Sequence, residues 1–348
     1  MDARPSAAHR RGRTLPAALV LLVAFVVAAC TGTSGAPATP TLAPVTPLPS
    51  AAPTATPAAT PEPTPAAAFP VTLTDDEGTA VEIAAAPEQI VSLTPAATET
   101  LFALGLGDRV VGKVEDFSLY PPEAASVPDV AKFGSVDVEK IVALGTDLVI
   151  AGGSNFNPPE AIEKLRSLGV PTLVIFAPDL ETALADIELI GAATGTPAQA
   201  AELTAGIQAA FDEVAAATAD LVKPRVFYEL DASNGFFGPA PDYFGTEMIR
   251  IAGGDPLTSG QPGVYQIEAE QIVAFDPEVI LLGDAAYGVT ADQVKARSGW
   301  DVLTAVKNDA IRPIDDVIVT RPGPRLGEGI RALALAIHPD LVLASPAP

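Results

Sequence analysis

From residue 71 onward the chain carries one pattern twice, in the same order. Residues 98–105 read TETLFALG and residues 138–150 read VEKIVALGTDLVI; residues 246–253 then read TEMIRIAG and residues 269–281 read AEQIVAFDPEVIL. Thr, Glu and Gly recur at matching places in the first element, and Glu, Ile, Val and Ala in the second. Two similar α/β lobes are the simplest reading of such a repeat. A cleft between two lobes is a usual place for a small ligand.

The N-terminal end addresses the chain to a compartment. Arg4, Arg10, Arg11 and Arg13 precede an apolar run that ends in Val27, Ala28, Ala29 and Cys30. That is the layout of a signal peptide, residues 1–29. An aliphatic residue, two small residues and the chain's sole cysteine resemble a bacterial lipobox, in which Cys30 is lipidated and becomes the new N-terminus. Two or more acyl chains make a stable anchor. The expected location is therefore extracytoplasmic, on the cell membrane. With Cys30 used for lipid, no thiol is left for a disulfide, a nucleophile or a thiolate metal site.

Residues 30–69 are dominated by Pro, Ala and Thr and cannot build a core. As a polyproline II segment this tether reaches on the order of 100 Å. The formal charge is −23, and removing a leader with four arginines and Asp2 moves it to about −26, which argues against nucleic acid as a partner.

The globular remainder alternates strand and helix signals, as a parallel sheet requires. Short alternating runs at 71–74 and 81–83 predict a hairpin. Strands are expected at 89–93, 110–112, 147–151 and 170–176, with helices at 96–104, 138–144, 158–168 and 180–193. Thr196 and Pro197 start a longer helix that runs to about Asp220 and spans about 37 Å. Leu203, Ile207, Phe211 and Val214 place an apolar stripe along it. A strand at 225–230 opens the second half and a helix at 325–337 closes it. The fold class is α/β, with residues 70–195 as an N-terminal lobe, 196–222 as an inter-lobe helix and 223–348 as a C-terminal lobe.

These features together resemble the substrate-binding lipoproteins of ABC importers, in the class built on one backbone helix that takes cobalamin, ferric siderophores or haem. The phrases that carry the resemblance are IVSLTPAATETLFALG, LYPPEA, FGSVDVEKIVAL and the closing RPGPRLGEGIRALALAIHP. The RPGPR phrase is most similar to the cobalamin-binding branch. The resemblance implies two Rossmann-like lobes joined by a single long rigid helix, with the ligand held in the cleft between them, and a monomer that docks on a dimeric permease. It implies no cofactor, since a metal enters only inside the bound chelate.

Glu139 and Glu270 hold the same place in the two copies of the repeat, which nominates them as paired contacts. In the family such a pair meets basic pockets of the permease. By position within matching phrases, the ligand-binding candidates are Phe117, Tyr120 and Phe133 on the first lobe, Phe237 and Tyr265 on the second, and Arg321 beside a rigid Pro-Gly-Pro turn. A corrin or porphyrin offers a broad flat face that suits aromatic walls. Relatives that bind cobalamin often carry tryptophan where Phe133 and Tyr265 stand.

Residue types narrow the rival functions. The mature chain retains a single histidine, His338, and no cysteine beyond Cys30. Ser-His and Cys-His catalysis and His-rich zinc sites are thereby removed, so no catalytic or metal-ligating residues are nominated. Catecholate siderophores call for several cleft cations, and haem for an axial Tyr, His or Met. Cobalamin needs neither and leads, with ferric siderophore or haem as the alternative within the family. A surface-tethered scaffold or adhesion protein is the alternative from another class.

Overall fold

The computed structural model describes residues 68–344, with Leu119 and Asn155 excepted. The leader, Cys30 and the tether as far as residue 67 lie outside the described residues. The described chain opens with an antiparallel hairpin, β1 (Val71–Thr74) and β2 (Ala80–Ile83), in which Val71 lies opposite Ile83. Its turn closes on the buried Asp75, whose Oδ1 accepts the amides of Glu77 and Thr79.

Alternating elements follow: β3 (Ile90–Ser92), α1 (Pro95–Ala103), β4 (Val110–Val114), β5 (Asp129–Lys132), β6 (Ser135–Val136), α2 (Val138–Ala143), β7 (Leu148–Gly152), α3 (Pro159–Ser167) and β8 (Thr172–Ile175). The strands form one sheet in the order β6-β5-β4-β3-β7-β8, parallel except for the β5-β6 pair. Every residue of β3, β7 and β8 is buried. Strands covered on both faces read as unbroken apolar runs, as Leu148, Val149, Ile150 and Ala151 do.

Two helices lead into the second half. In α4 (Leu180–Thr194), Asp179 caps the N-terminus by accepting from the Thr182 amide at 2.8 Å. Gly195 ends that helix at φ +81°, a left-handed conformation that glycine adopts without steric penalty. Then α5 (Pro197–Thr218) runs for 22 residues, its buried face made by Ala200, Thr204, Ile207, Phe211 and Val214. These positions recur every three or four residues, so one stripe meets α4 on one side and the C-terminal helix on the other.

The second half comprises β9 (Arg225–Glu229), β10 (Phe236–Phe237), α6 (Phe244–Ile251), β11 (Asp255–Pro256), β12 (Gln266–Ile267), α7 (Ala269–Phe275), β13 (Val279–Leu282), α8 (Ala291–Lys295), α9 (Thr304–Lys307), β14 (Ile311–Pro313), α10 (Asp316–Thr320) and α11 (Leu326–Ile337). A four-stranded parallel sheet has the order β11-β9-β13-β14, and β10 pairs with β12 in a separate antiparallel ribbon. The ribbon strands are two residues long, too short for an alternating pattern to mark them in the sequence.

Period-two alternation sorts the strand residues into three cores. Ile90 and Leu148 from the first sheet, and Val226, Tyr228 and Leu281 from the second, join Ile207, Phe211 and Leu333 in one continuous cluster. Their sequence neighbours face the other way. Val91, Val149 and Val174 pack with Ile141, Ile162 and Leu165 of α2 and α3, while Phe227, Ile280 and Leu282 pack with Ile272, Trp300 and Leu303. Each fully buried side chain of this size contributes about 1.5–3 kcal/mol of burial energy. The central cluster thus makes α5 and α11 an apolar bridge between the two sheets.

Candidate functional site

The carboxyl ends of parallel strands are where α/β sheets hold their ligands. In the first sheet those ends lead into Asp116 and Phe117 after β4, Phe133 after β5, Phe156 after β7 and Phe176 after β8. Phe117 is 87% exposed and Phe133 78%, so neither serves as core. Phe156 stands edge-on to Phe133 with ring centroids 6.3 Å apart. Sequence reasoning did not nominate Phe156 or Phe176. An aromatic in a Gly/Ser/Asn/Pro-rich loop after a strand was the available signal, and GGSNFNPPE carries it.

In the second half the β10-β12 ribbon brings two nominated residues together. Phe237 lies opposite Gln266, and the Gly238 amide donates to the Tyr265 carbonyl at 2.9 Å. Tyr265 stands edge-on to Tyr243, with centroids 5.7 Å apart. The Tyr243 hydroxyl in turn is 3.5 Å from the carbonyl of Thr320, the residue before Arg321. The phenol of Tyr265 is pushed up by desolvation and by the Asp242 carboxylate, and so stays protonated at physiological pH.

Arg321 joins the two halves. Its Nη1 donates to Glu99 Oε1 and Asp116 Oδ2, both at 2.8 Å, and to Ser118 Oγ at 2.9 Å; its Nη2 donates to Asp116 Oδ1 at 2.6 Å. Arg325 grips the same Glu99 with two bonds of 2.8 Å, and its guanidinium lies 3.8 Å from the centre of the Tyr120 ring. Glu99, whose side chain is 1% exposed, is therefore shared by two arginines. Desolvation opposes the charge on Arg321, but Asp116 and Glu99 outweigh it and raise its pKa. Desolvation likewise opposes the Asp116 carboxylate, and its bonds to Arg321 and Ser118 prevail and lower its pKa.

Four of the nominated residues, Phe117, Tyr120, Tyr265 and Arg321, fall into a connected arrangement. Tyr120 lies against Arg325, Arg321 holds the Asp116-Phe117-Ser118 loop, and the Thr320 carbonyl links that region to Tyr243 and Tyr265. Phe133 stands apart from this network, paired with Phe156. Both Nη atoms of Arg321 are engaged by Glu99, Asp116 and Ser118, so its guanidinium holds the loop after β4 in place. Glu99, Asp116 and Arg325 were not nominated, because nothing near them in sequence shows that they meet.

Glu139 and Glu270 occupy the first turns of α2 and α7, and both are exposed. Neither forms an ion pair among the described residues. The helix ends are already capped without them: Asp137 accepts from the Lys140 amide at 3.0 Å, and Glu268 forms a capping box with Gln271. Two free carboxylates at equivalent places are thus not required by local helix chemistry.

Cavities open elsewhere on the described surface. One of about 490 Å³ is lined by helix residues alone, among them Leu184, Phe211 and Glu247. A second, of about 610 Å³, opens where β9 and β13 end, next to Leu230 and Asp284. No helix of the described residues is long and apolar enough to cross a membrane, and no group of three or more His, Cys, Asp or Glu among them is arranged to hold a metal ion.

Comparison with known proteins bears on this geometry. The profile of a family described as periplasmic binding protein matches residues 90–317. An ABC transporter substrate-binding lipoprotein of Bacillus subtilis is 35% identical over 277 residues, covering 78% of this chain and 87% of the relative. A cobalamin-binding protein of Halobacterium salinarum is 32% identical, covering 78% of this chain and 75% of its own length. Among solved structures, the periplasmic vitamin B12 binding protein of Vibrio cholerae superposes with a TM-score of 0.62 at 27% identity, over 72% of this chain and 97% of that one. The periplasmic haem-binding protein of Roseiflexus sp. RS-1 gives 0.64 at 27% identity, over 72% and 98%.

Proposed function

This chain belongs to the periplasmic binding protein family, and on that premise we propose that it captures a cobalamin-type corrinoid outside the cell and delivers it to an ABC permease. One observation carries the reading. Tyr120 lies against Arg325 and Tyr265 is linked through Tyr243 to the Thr320 carbonyl, so partly exposed aromatics of both halves flank the Glu99-Arg321-Asp116 junction. Large rings with a few fixed polar groups between them are what a broad, flat macrocycle needs.

In this reading residues 70–195 and 223–348 are two lobes, and α5, within 196–222, is the helix that joins them. The continuous central core through α5 and α11 supports a body that closes little on its ligand. Phe117, Tyr120, Phe133, Phe237 and Tyr265 wall the ligand, and Arg321 sets the spacing of the walls. Glu139 and Glu270 meet basic pockets of the permease, and Cys30 carries the lipid that keeps the receptor at the membrane. The metal travels inside the chelate, and the protein performs no chemistry on it. The relatives named above are binding proteins by their descriptions.

Haem is the second reading, supported by the likeness to the Roseiflexus protein and by the partly exposed Tyr120 and Tyr265, which offer phenol oxygens for an axial position. Isothermal titration of the chain with cyanocobalamin, haemin, a ferric hydroxamate and a ferric catecholate separates the readings. Submicromolar one-to-one binding of cyanocobalamin alone is the expected result. Tight binding of haemin alone transfers the site to haem, and silence across the panel favours a surface scaffold.

A further inference from the structure

The short helices α2 and α7 match each other in burial, residue by residue, as well as in sequence. Along VEKIVA and AEQIVA the first residue is half-buried and Ile141 and Ile272 are fully buried. Glu139, Lys140, Val142 and Ala143 are exposed, and so are Glu270, Gln271, Val273 and Ala274. The surrounding units match too. Each helix follows a two-residue strand of an antiparallel pair, β6 on β5 or β12 on β10, and each leads into a buried parallel strand, β7 or β13.

The fold accounts for part of this likeness. Ile141 and Ile272 anchor the helices in the two outer cores, with Val138 packed beside the first. Lys140 donates from Nζ to the Asp129 carbonyl at 2.6 Å, and Gln271 completes the capping box with Glu268. What is left in each copy is Glu, Val and Ala at positions i, i+3 and i+4, which lie together on one face of a helix. Val142 is 42% exposed and Val273 38%. A lone exposed aliphatic side chain is ordinary. The same apolar pair beside the same carboxylate in both halves is not. Valine is a poorer helix former than alanine, lysine or glutamate, so neither propensity nor core packing selects it at these two positions.

The two faces also stand in the same relation to the candidate ligand site. Phe133 lies just before β6, and Tyr265 just before β12. Each unit therefore joins an aromatic of the proposed ligand wall to a Glu-Val-Ala face through a two-residue strand.

We propose that the two faces are a pair of matched docking pads, in which Val142-Ala143 and Val273-Ala274 supply apolar ledges beside Glu139 and Glu270. This rests on the importer reading above and extends it from two charges to two surfaces. The chemistry of the partner follows from the pads: two equivalent sockets, each a cation bordered by apolar side chains, as the two subunits of a permease dimer present. The carboxylates attract and orient the partner, and the ledges exclude water once contact is made. Charge therefore governs association, and the aliphatic groups govern release.

The test uses the full chain in its native host and reads position as well as transport. With p-benzoylphenylalanine in place of Val142 or of Val273, irradiation is expected to give adducts with the transmembrane subunit of an ABC permease, identified from the cross-linked peptide. The same group in place of Val222, 88% exposed and following α5, gives none. Cyanocobalamin uptake by cells carrying Val142→Ser with Val273→Ser falls about tenfold. The purified serine variant binds cyanocobalamin and melts as wild type does, and Val142→Ile with Val273→Ile keeps uptake at the wild-type level. If chain-dependent uptake is undiminished in the serine variant, or if either position fails to yield a permease adduct, the pads are overturned. Cyanocobalamin binding by the purified chain decides the corrinoid reading separately: adducts from both positions in a chain that does not bind it support the pads and overturn that reading.

Discussion

Arg321 donates to Glu99 at 2.8 Å across 222 positions of sequence, and this contact ties the loop after α10 to the first helix of the fold. Glu99 is buried, and Arg325 reaches it from the same side. A carboxylate so placed depends on both partners for its charge to be tolerated.

Removing one side of that junction leaves the other uncompensated. Glu99→Ala is expected to destabilise the protein by about 3–5 kcal/mol, the usual cost of breaking a buried pair. Urea unfolding of Glu99→Ala, Arg321→Ala and the double variant checks it. The double variant should be less destabilised than the sum of the singles, and strict additivity would show that the two residues do not interact.

Asp186 gives the fold a pH dependence of known sign. It is 4% exposed in α4, and desolvation, together with Asp76 and Asp179, raises its pKa from 3.8 to about 9. The folded state therefore holds a proton that the unfolded chain releases near pH 4, so stability declines as pH rises from about 4 to about 9, by at most about 1.4 kcal/mol per unit. Asp186→Asn keeps a neutral side chain and removes that decline. Melting curves between pH 6 and 10 should show the variant gaining on wild type as pH rises, and parallel curves would refute the assignment.

Exposed rings at the strand ends are expected to matter for ligand and not for folding. Phe133→Ala removes a ring that is 78% exposed, so its effect on stability should be about 0.5 kcal/mol or less. Its effect on corrinoid affinity should be about 1–2 kcal/mol, the range for an aromatic contact in a ligand wall. Titration and thermal melting of the same preparation separate the two quantities.

Glu139→Arg and Glu270→Arg reverse charges that no described residue pairs with. Ligand affinity of the purified protein should not change, while uptake by cells carrying the double variant should be lost, since complementary charges steer and orient docking. Unchanged uptake would leave the two glutamates as solvated helix residues.

Gly283 lies where a side chain has no room. A Cβ there would come within 2.9 Å of the Tyr228 ring, 3.0 Å of an Asp316 carboxylate oxygen and 3.1 Å of the Glu229 carbonyl. The Tyr228 hydroxyl already donates to Asp316 at 2.6 Å, so neither group can retreat freely. Gly283→Ala should cost about 1–3 kcal/mol, read from the shift in urea midpoint.

The sequence by itself determined the main elements of the first half, the long helix after them, and the strand and helix that open and close the second half. Apolar periodicity is a local property, so the buried strands at 90–92 and 148–152 and the stripe of α5 were legible, as were punctuating residues such as Thr94, Pro197 and Gly195. Glu139 and Glu270 hold the same place in the repeat, and each is exposed in the first turn of a short helix. Equivalence in sequence did not extend to environment, however. Glu99 and Glu247 hold the same place in the repeat, yet Glu99 is buried between two arginines while Glu247 is exposed at the rim of a cavity. Only the tertiary structure decided that Arg321 turns inward to Glu99 and Asp116 and that Phe156 backs Phe133. Charge pairing and desolvation depend on which distant segments the chain path brings within a few ångströms, and no local pattern encodes that path.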